Sequence, residues 1–199
     1  MPTEESRADI DAARAGDQAA FARLVEQTYG DVFLLAARLT RNHHDAFDVV
    51  QDAYLRAYRG LIDFRGEARF TTWLHRITVN CANTLIAKRR RNQCDQIQED
   101  VLDTTRDRHP EGRFSDAEFS SELLEALDEL PLNLRAVVVL RDVFDLPHSD
   151  IGKQLGISPA AAKVRLHRGR KRLRITIETN QAMVDRRATD TANEARHAV

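Results

Sequence analysis

Apolar residues recur along this chain at three- and four-residue steps between polar breaks, the period of a helix with one buried face. From Gln18 onward Phe21, Leu24, Val25, Phe33, Leu34, Ala37 and Leu39 supply apolar faces, and Gly30 is expected to mark a bend between two segments. After a break at Asn42–Asp45, with a cap at its end, the pattern predicts a helix from about Ala46 to Leu61. Its buried stripe is Ala46, Val50, Ala53, Ala57 and Leu61. The loop FRGEARFTT (64–72) is bracketed by two phenylalanines. A helix from Trp73 to about Arg91 is expected next, capped by Thr71 or Thr72, with Phe70, Leu74, Ile77, Cys81 and Leu85 on its core side.

The pattern then lapses. Residues 92–117 hold few apolar side chains, many charges, Pro110 and Gly112, and read as a flexible linker. Order is expected to resume near Glu118. Phe119, Leu123, Leu124 and Leu127 mark one amphipathic helix, ending by Leu130-Pro131. Leu134, Val137, Val138, Val139, Leu140, Val143 and Phe144 mark another, because the valine run lies between helix-stopping signals and its pattern is long for a strand. From Leu146 to Arg174 the residues spell a helix-turn-helix. Ile151 and Leu155 face a core, Gly156 suits the left-handed turn, Ile157 plugs it, Ser158 caps the next helix and Pro159 takes its first position. In that second helix Ala162, Leu166, Gly169 and Leu173 form the apolar back. The last helix is expected to end near Asn180, followed by a disordered polar tail to Val199.

The fold expected is thus all-α: two small helical domains joined by a flexible acidic linker. The boundaries are a lead-in over 1–17 containing a short helix, a first domain over 18–92, the linker over 93–117, a second domain over 118–176 and the tail over 177–199. With 30 Lys+Arg against 31 Asp+Glu, the formal net charge of -1 says nothing about nucleic acid, but the distribution does. Basic runs at Lys88–Arg91 and Lys163–Arg174 flank an acidic stretch carrying Asp95, Glu99, Asp100, Asp103 and Asp107, which suggests two anion-binding surfaces. No apolar run approaches a membrane span and the amino-terminal residues lack a signal-peptide core, so a cytoplasmic protein with no membrane insertion is expected. The two cysteines, Cys81 in the core and Cys94 in the linker, need not pair there, and neither a metal nor any other cofactor is expected.

Three faces are candidates for chemistry. Asp48, Gln51, Asp52 and Leu55 lie on the side of their helix away from its buried stripe, where an ordinary wet face is the simpler reading. Arg76, Asn80 and Asn83 share a face of the following helix, which ends in Lys88-Arg89-Arg90-Arg91; those cations also oppose the negative end of the helix dipole. The second helix of the helix-turn-helix carries Lys163, Arg165, His167, Arg168, Arg170, Lys171, Arg172 and Arg174 with no acid among them, which suits the DNA major groove; a merely solvated basic helix is the alternative. Asp48 and Asp52 form a carboxylate pair, but no His or Cys near them in sequence completes a metal or nucleophile site, so no catalytic residue is expected and the chain is not read as an enzyme.

Three stretches together resemble the extracytoplasmic-function (ECF) sigma factors, small bacterial initiation subunits of RNA polymerase. DAFDVVQDAYLRAYRGLIDF (45–64) is similar to the family's region 2 helix and promoter-melting segment. RFTTWLHRITVNCANTLIAKRRR (69–91) is similar to its pattern of Phe, Thr-Trp-Leu, Ile, Asn and a terminal Arg cluster, and residues 127–174 are similar to region 4. The resemblance implies a sigma region 2 helical bundle and a sigma region 4 helix-turn-helix, with core RNA polymerase, promoter DNA both duplex and single-stranded, and an anti-sigma factor as partners. Asp48, Gln51, Asp52 and Leu55 would dock on the clamp-bearing large subunit of core polymerase. Phe64, Arg65, Phe70, Arg76, Asn80, Asn83, Arg89 and Arg90 would capture the melted minus-ten strand, with Trp73 mostly core. Ser158, Ala161, Lys163, Val164, Arg165, Arg168 and Lys171 would meet the minus-thirty-five duplex: Arg165 and Arg168 at base edges, Lys163 and Lys171 at phosphates. Ala161 and Val164 depart from the family, which often has Thr and Ser or Thr there; Val164 could touch a thymine methyl instead. A stand-alone helix-turn-helix regulator is the competing reading.

Overall fold

The computed structural model describes the backbone over residues 4–95 and 121–197, and the side chains over 7–91 and 122–183. Most of the expected linker, Phe119 and the Cys94 side chain lie outside the described residues. Among the described residues every regular element is helical. The first unit comprises α1 (Glu4–Arg14), α2 (Gln18–Thr40), α3 (His43–Gly60), a 3-10 turn (Leu61–Asp63) and α4 (Phe70–Asp95). The second comprises α5 (Ser121–Glu129), α6 (Leu132–Val138), a π turn (Val139–Val143), α7 (His148–Leu155) and α8 (Pro159–His197).

Side chains at the helix ends decide where these elements begin. Asp17 accepts from the backbone N–H of Ala19 at 2.8 Å and Ala20 at 3.2 Å, which starts α2. Asn42 accepts from the Asp45 N–H at 3.0 Å, so α3 begins at His43 rather than near Ala46. Gly30 does not bend the chain: α2 is continuous through it. One glycine costs a helix about 1 kcal/mol relative to alanine, and the buried Thr28, Val32 and Phe33 around it hold the helix in place. Thr71 and Thr72 are not caps either, since α4 already starts at Phe70 and the Trp73 N–H donates to the Arg69 carbonyl.

The buried stripes fall where periodicity placed them. Ala46, Val50, Ala53 and Ala57 are buried on α3 and Leu61 at the start of the 3-10 turn that continues it, as are Ala162, Leu166 and Leu173 on α8. The valine run is helical, widening into the π turn, and Phe144 and Leu146 donate back to the carbonyls of Val139 and Leu140. Gly156 takes φ 64° and closes the helix-turn-helix. Gly169 serves a different purpose: a Cβ there would come within 2.6 Å of a Val138 methyl, so its absence lets α8 cross α6 closely. The expected end near Asn180 and the disordered tail are corrected, because α8 runs on to His197. No proline or glycine follows Gly169 to stop it, so nothing in its sequence breaks the helix.

The two units touch. The α6 side of the second unit meets the carboxyl end of α2, and α7 meets the start of α4. Arg135 on α6 is buried, 4% exposed, and donates to the carbonyls of Arg38 at 3.2 Å and Leu39 at 3.1 Å. Gln154 on α7 donates to the Thr72 carbonyl at 3.1 Å, and the His75 ring lies 4.6 Å from that of Phe144.

Candidate protein and nucleic-acid interfaces

The outer face of α3 is more apolar than its acidic residues suggest. Asp48 and Gln51 are exposed, Asp52 half-exposed, and Leu55 exposed, all on the expected side. They are joined by Phe47 (53% exposed), Tyr58 (44%) and, from the 3-10 turn, Ile62 (70%). Phe47, Gln51, Leu55, Tyr58 and Ile62 follow three- and four-residue steps and form a second stripe opposite the buried one. Beside it Phe21, Tyr54 and Gln18 complete a shallow groove. Phe47, Tyr58 and Ile62 were missed in the sequence, although their spacing was available: a helix with two apolar stripes has one more than its own core needs. Asp52 is already engaged, paired with Arg56 at 2.8 Å. Burial pushes the neighbouring Cys81 thiol up to about 12, with the Asp52 carboxylate adding to the effect, so this cysteine is a neutral packing residue.

The expected strand-capturing residues divide into two sets. Arg65 in the loop and Arg76, Asn80, Asn83 and Arg90 on α4 are exposed, and the α4 members present donors along the helix. Phe64 and Phe70 are instead buried, their rings 6.0 Å apart and each packed on the half-buried Trp73, at 5.1 and 5.7 Å. Their placement fixes both ends of the Arg65–Arg69 loop and leaves little ring surface for a captured strand, with Phe70 on the core side of α4 as its spacing predicts. Arg89 forms an ion pair with the buried Asp45 at the start of α3. Burial pushes that carboxyl up while Arg89 opposes the shift, which gives Arg89 a structural role.

On α8, Ser158 caps the helix by accepting from the Ala161 N–H at 3.1 Å. Lys163, Val164, Arg168 and Lys171 are exposed, Val164 by 49%, and Ala161 is half-buried. Arg170 is drawn off the basic face by Asp142, whose carboxylate accepts from its Nε at 3.1 Å and from a terminal nitrogen. Arg165 is half-buried and lines a cleft of about 330 Å³ between the units, shared with Asn83 and Arg90. The structure therefore brings members of the two expected DNA faces to one seam. Among the described residues no group of His, Cys, Asp and Glu side chains could hold a metal ion, and no helix is long and apolar enough to cross a membrane.

Comparison with known proteins agrees with this division. The family model described as Sigma-70 region 2 matches residues 24–92, and that described as Sigma-70, region 4 matches residues 120–173. The chain is similar to the ECF RNA polymerase sigma factor SigE of Mycolicibacterium smegmatis, 36% identical over 177 residues that cover 87% of this chain and 68% of that one. It is similar to SigW of Bacillus subtilis at 32% identity, covering 83% and 92% of the two chains. In fold it matches a sigma factor RpoE solved with the anti-sigma factor NepR from Bartonella quintana. That match has a TM-score of 0.67 and 22% identity, and covers 79% of this chain and 96% of that one. It also matches CnrH solved with the cytosolic domain of CnrY, with a TM-score of 0.64 and 24% identity over 88% and 99% of the chains. With both halves of the chain matched in order and relatives aligned over most of its length, this protein belongs to the ECF sigma factors of the sigma-70 family.

Proposed function

We propose that this chain binds core RNA polymerase and directs it to promoters, acting in the cytoplasm by binding alone and without catalysing a reaction. The observation that carries this reading is the presence, on one chain, of three exposed surfaces of different chemistry. The α3 stripe is apolar with acidic flecks and fits a protein partner with basic helices, since apolar burial supplies affinity and the acids supply orientation. The α4 face offers Arg76, Asn80, Asn83 and Arg90, with Arg65 beside it, as donors to the edges of unpaired bases. The α8 face offers Lys163, Arg168 and Lys171 around Val164, suited to phosphates, a guanine edge and a thymine methyl.

Residues 18–92 would act as the core-binding and minus-ten unit, and residues 118–176 as the minus-thirty-five unit. Melting follows from binding the unpaired strand more tightly than duplex, because a base exposes its pairing edge only outside the helix. Control by an anti-sigma factor is part of the proposal, supported by the solved fold relative RpoE, which is held by the anti-sigma factor NepR. The test is addition of the purified chain to core polymerase with promoter-specific transcripts scored. Transcripts that start at discrete promoters only when both are present support the reading. Unchanged initiation, with tight binding of the lone chain to duplex, favours a stand-alone regulator.

A further inference from the structure

From the ion pair that joins the π turn to α8 we infer that Asp142 withholds Arg170 from DNA and so limits the affinity of α8 for duplex of any sequence. Arg170 is placed to be a phosphate contact. Lys163, His167, Arg170 and Arg174 follow one another at three- and four-residue steps, share one flank of α8 and are all exposed. Arg170 stands two turns beyond Lys163, the proposed phosphate contact. Residues 159–177 contain no acid, so nothing on that stretch of α8 competes for this cation.

The competitor comes from another element. Where α8 crosses α6, a Cβ on Gly169 would come within 2.6 Å of a Val138 methyl. That close approach sets the next residue, Arg170, against the turn that follows α6. There the Phe144 N–H donates to the Val139 carbonyl five residues back, the wide spacing of a π turn, and Asp142 lies within it. Its carboxylate takes the guanidinium as a fork: one oxygen accepts from Nε at 3.1 Å and the other from a terminal nitrogen. Arginine grips a phosphate with the same fork, so these donors cannot serve both at once. Among the described residues Arg170 is the one member of the 163–174 basic run in an ion pair.

The pair differs from the one that engages the other basic run. Asp45 is buried at the start of α3, where losing Arg89 would strand a carboxylate in the core. Asp142 and Arg170 stand at the surface, their side chains 32% and 56% exposed, where an ion pair contributes at most about 1 kcal/mol to stability. Its larger effect is on the charge that α8 presents. Each cation that meets a phosphate releases counterions, so withholding one lowers affinity for every sequence while Arg168 and Val164 keep their places at the base edges. A chain held to weak affinity for duplex at large stays available to polymerase, and meets promoter DNA as part of that assembly.

This inference rests on the duplex-reading assignment of α8, and the experiment separates the two. The full chain and its variants, checked for helicity, are titrated by fluorescence anisotropy with a labelled duplex of scrambled sequence between about 50 and 200 mM salt. Asp142→Asn keeps the shape and removes the charge. It is expected to steepen the fall of log affinity with log salt by about 0.9, so that its affinity drops about three- to fourfold more than wild type across that range. Arg170→Gln is expected to leave the slope at its wild-type value, and the double variant to return to that value. An unchanged slope in folded Asp142→Asn would overturn the inference. A flattened slope in Arg170→Gln would place Arg170 on a phosphate already; it would overturn the inference too, and decides the matter should Asp142→Asn lose helicity. A steep slope persisting in the double variant would do the same, by tracing the gain to lost repulsion from the carboxylate. Failure of the α8 assignment would appear elsewhere, as Lys163→Gln leaving the wild-type slope unaltered instead of flattening it by the same increment.

Discussion

The outer face of α3 and the exposed face of α8 are both helical surfaces turned to solvent, and they are built in opposite ways. On α3, Phe47, Leu55, Tyr58 and Ile62 stand out from the protein with Asp48 and Asp52 beside them. On α8, Lys163, Arg168 and Lys171 dominate a face on which Val164 and, further along, Ile175 are the exposed apolar side chains. An apolar stripe gains by excluding water, which suits a partner of fixed shape. A basic stripe gains by displacing counterions from a polyanion, which suits DNA and weakens with salt. On the proposed function, one chain thus holds a surface for a machine and a surface for a template. Polymerase association is therefore expected to change little with salt, while duplex binding falls steeply.

The largest effect on binding should come from breaking the first surface. Leu55→Asp combined with Asp48→Lys is expected to weaken binding to core polymerase on the order of a hundredfold, or about 2.7 kcal/mol, with helicity unchanged. Retained affinity in a binding titration would move the docking site elsewhere. The seam between the surfaces responds to acid. Burial lowers His75 from 6.5 to about 4, so the folded chain binds fewer protons than the unfolded one between those values. The associated stability, about 3 kcal/mol, is complete above pH 6.5 and lost as the pH falls towards 4. Denaturant midpoints across that range should show the loss, and His75→Phe should flatten it.

Breaking the second surface from behind requires only one carbon. Gly169→Ala forces a methyl against Val138 where α8 crosses α6, and is expected to destabilise the second unit by about 1–3 kcal/mol, read by thermal melting. Arg168→Ala leaves the fold alone. It should reduce discrimination at one base pair by roughly 1–3 kcal/mol if its guanidinium bridges a guanine. An equal loss on every sequence would make it a phosphate contact. The smallest change is Val164→Thr, which should shift preference at one position by less than about 1 kcal/mol, measured by competition between duplexes.

What the sequence made legible was whatever repeats. The buried stripes of α3 and α8, the glycine-turn-serine start of the recognition helix and the exposed donors of α4 all follow from helical spacing. What it hid were pairings between distant residues, which leave no period: Asp45 with Arg89, Asp142 with Arg170, and Arg135 with the end of α2. These pairings are why Arg89 and Arg170, apparently free cations in a basic run, are structural, and why Arg165 stands in the seam. Phe70 was legible as a core-side residue from its spacing, whereas the burial of Phe64 was not, since a loop aromatic has no period and packs on Phe70 and Trp73 only once the fold forms. The length of α8 was hidden because polar residues without breakers are compatible with either a helix or a tail.

On the proposed function, α3 delivers the DNA-reading faces to a polymerase that the chain then helps to open a promoter. Permanganate reactivity of thymines on a promoter mapped from overexpressing cells tests it most directly. Reactive, unpaired thymines are expected in the minus-ten element only when chain and core polymerase are both present, and none with either alone. Reactivity unchanged by adding the chain to core polymerase, alongside protection of the duplex by the chain by itself, would contradict it.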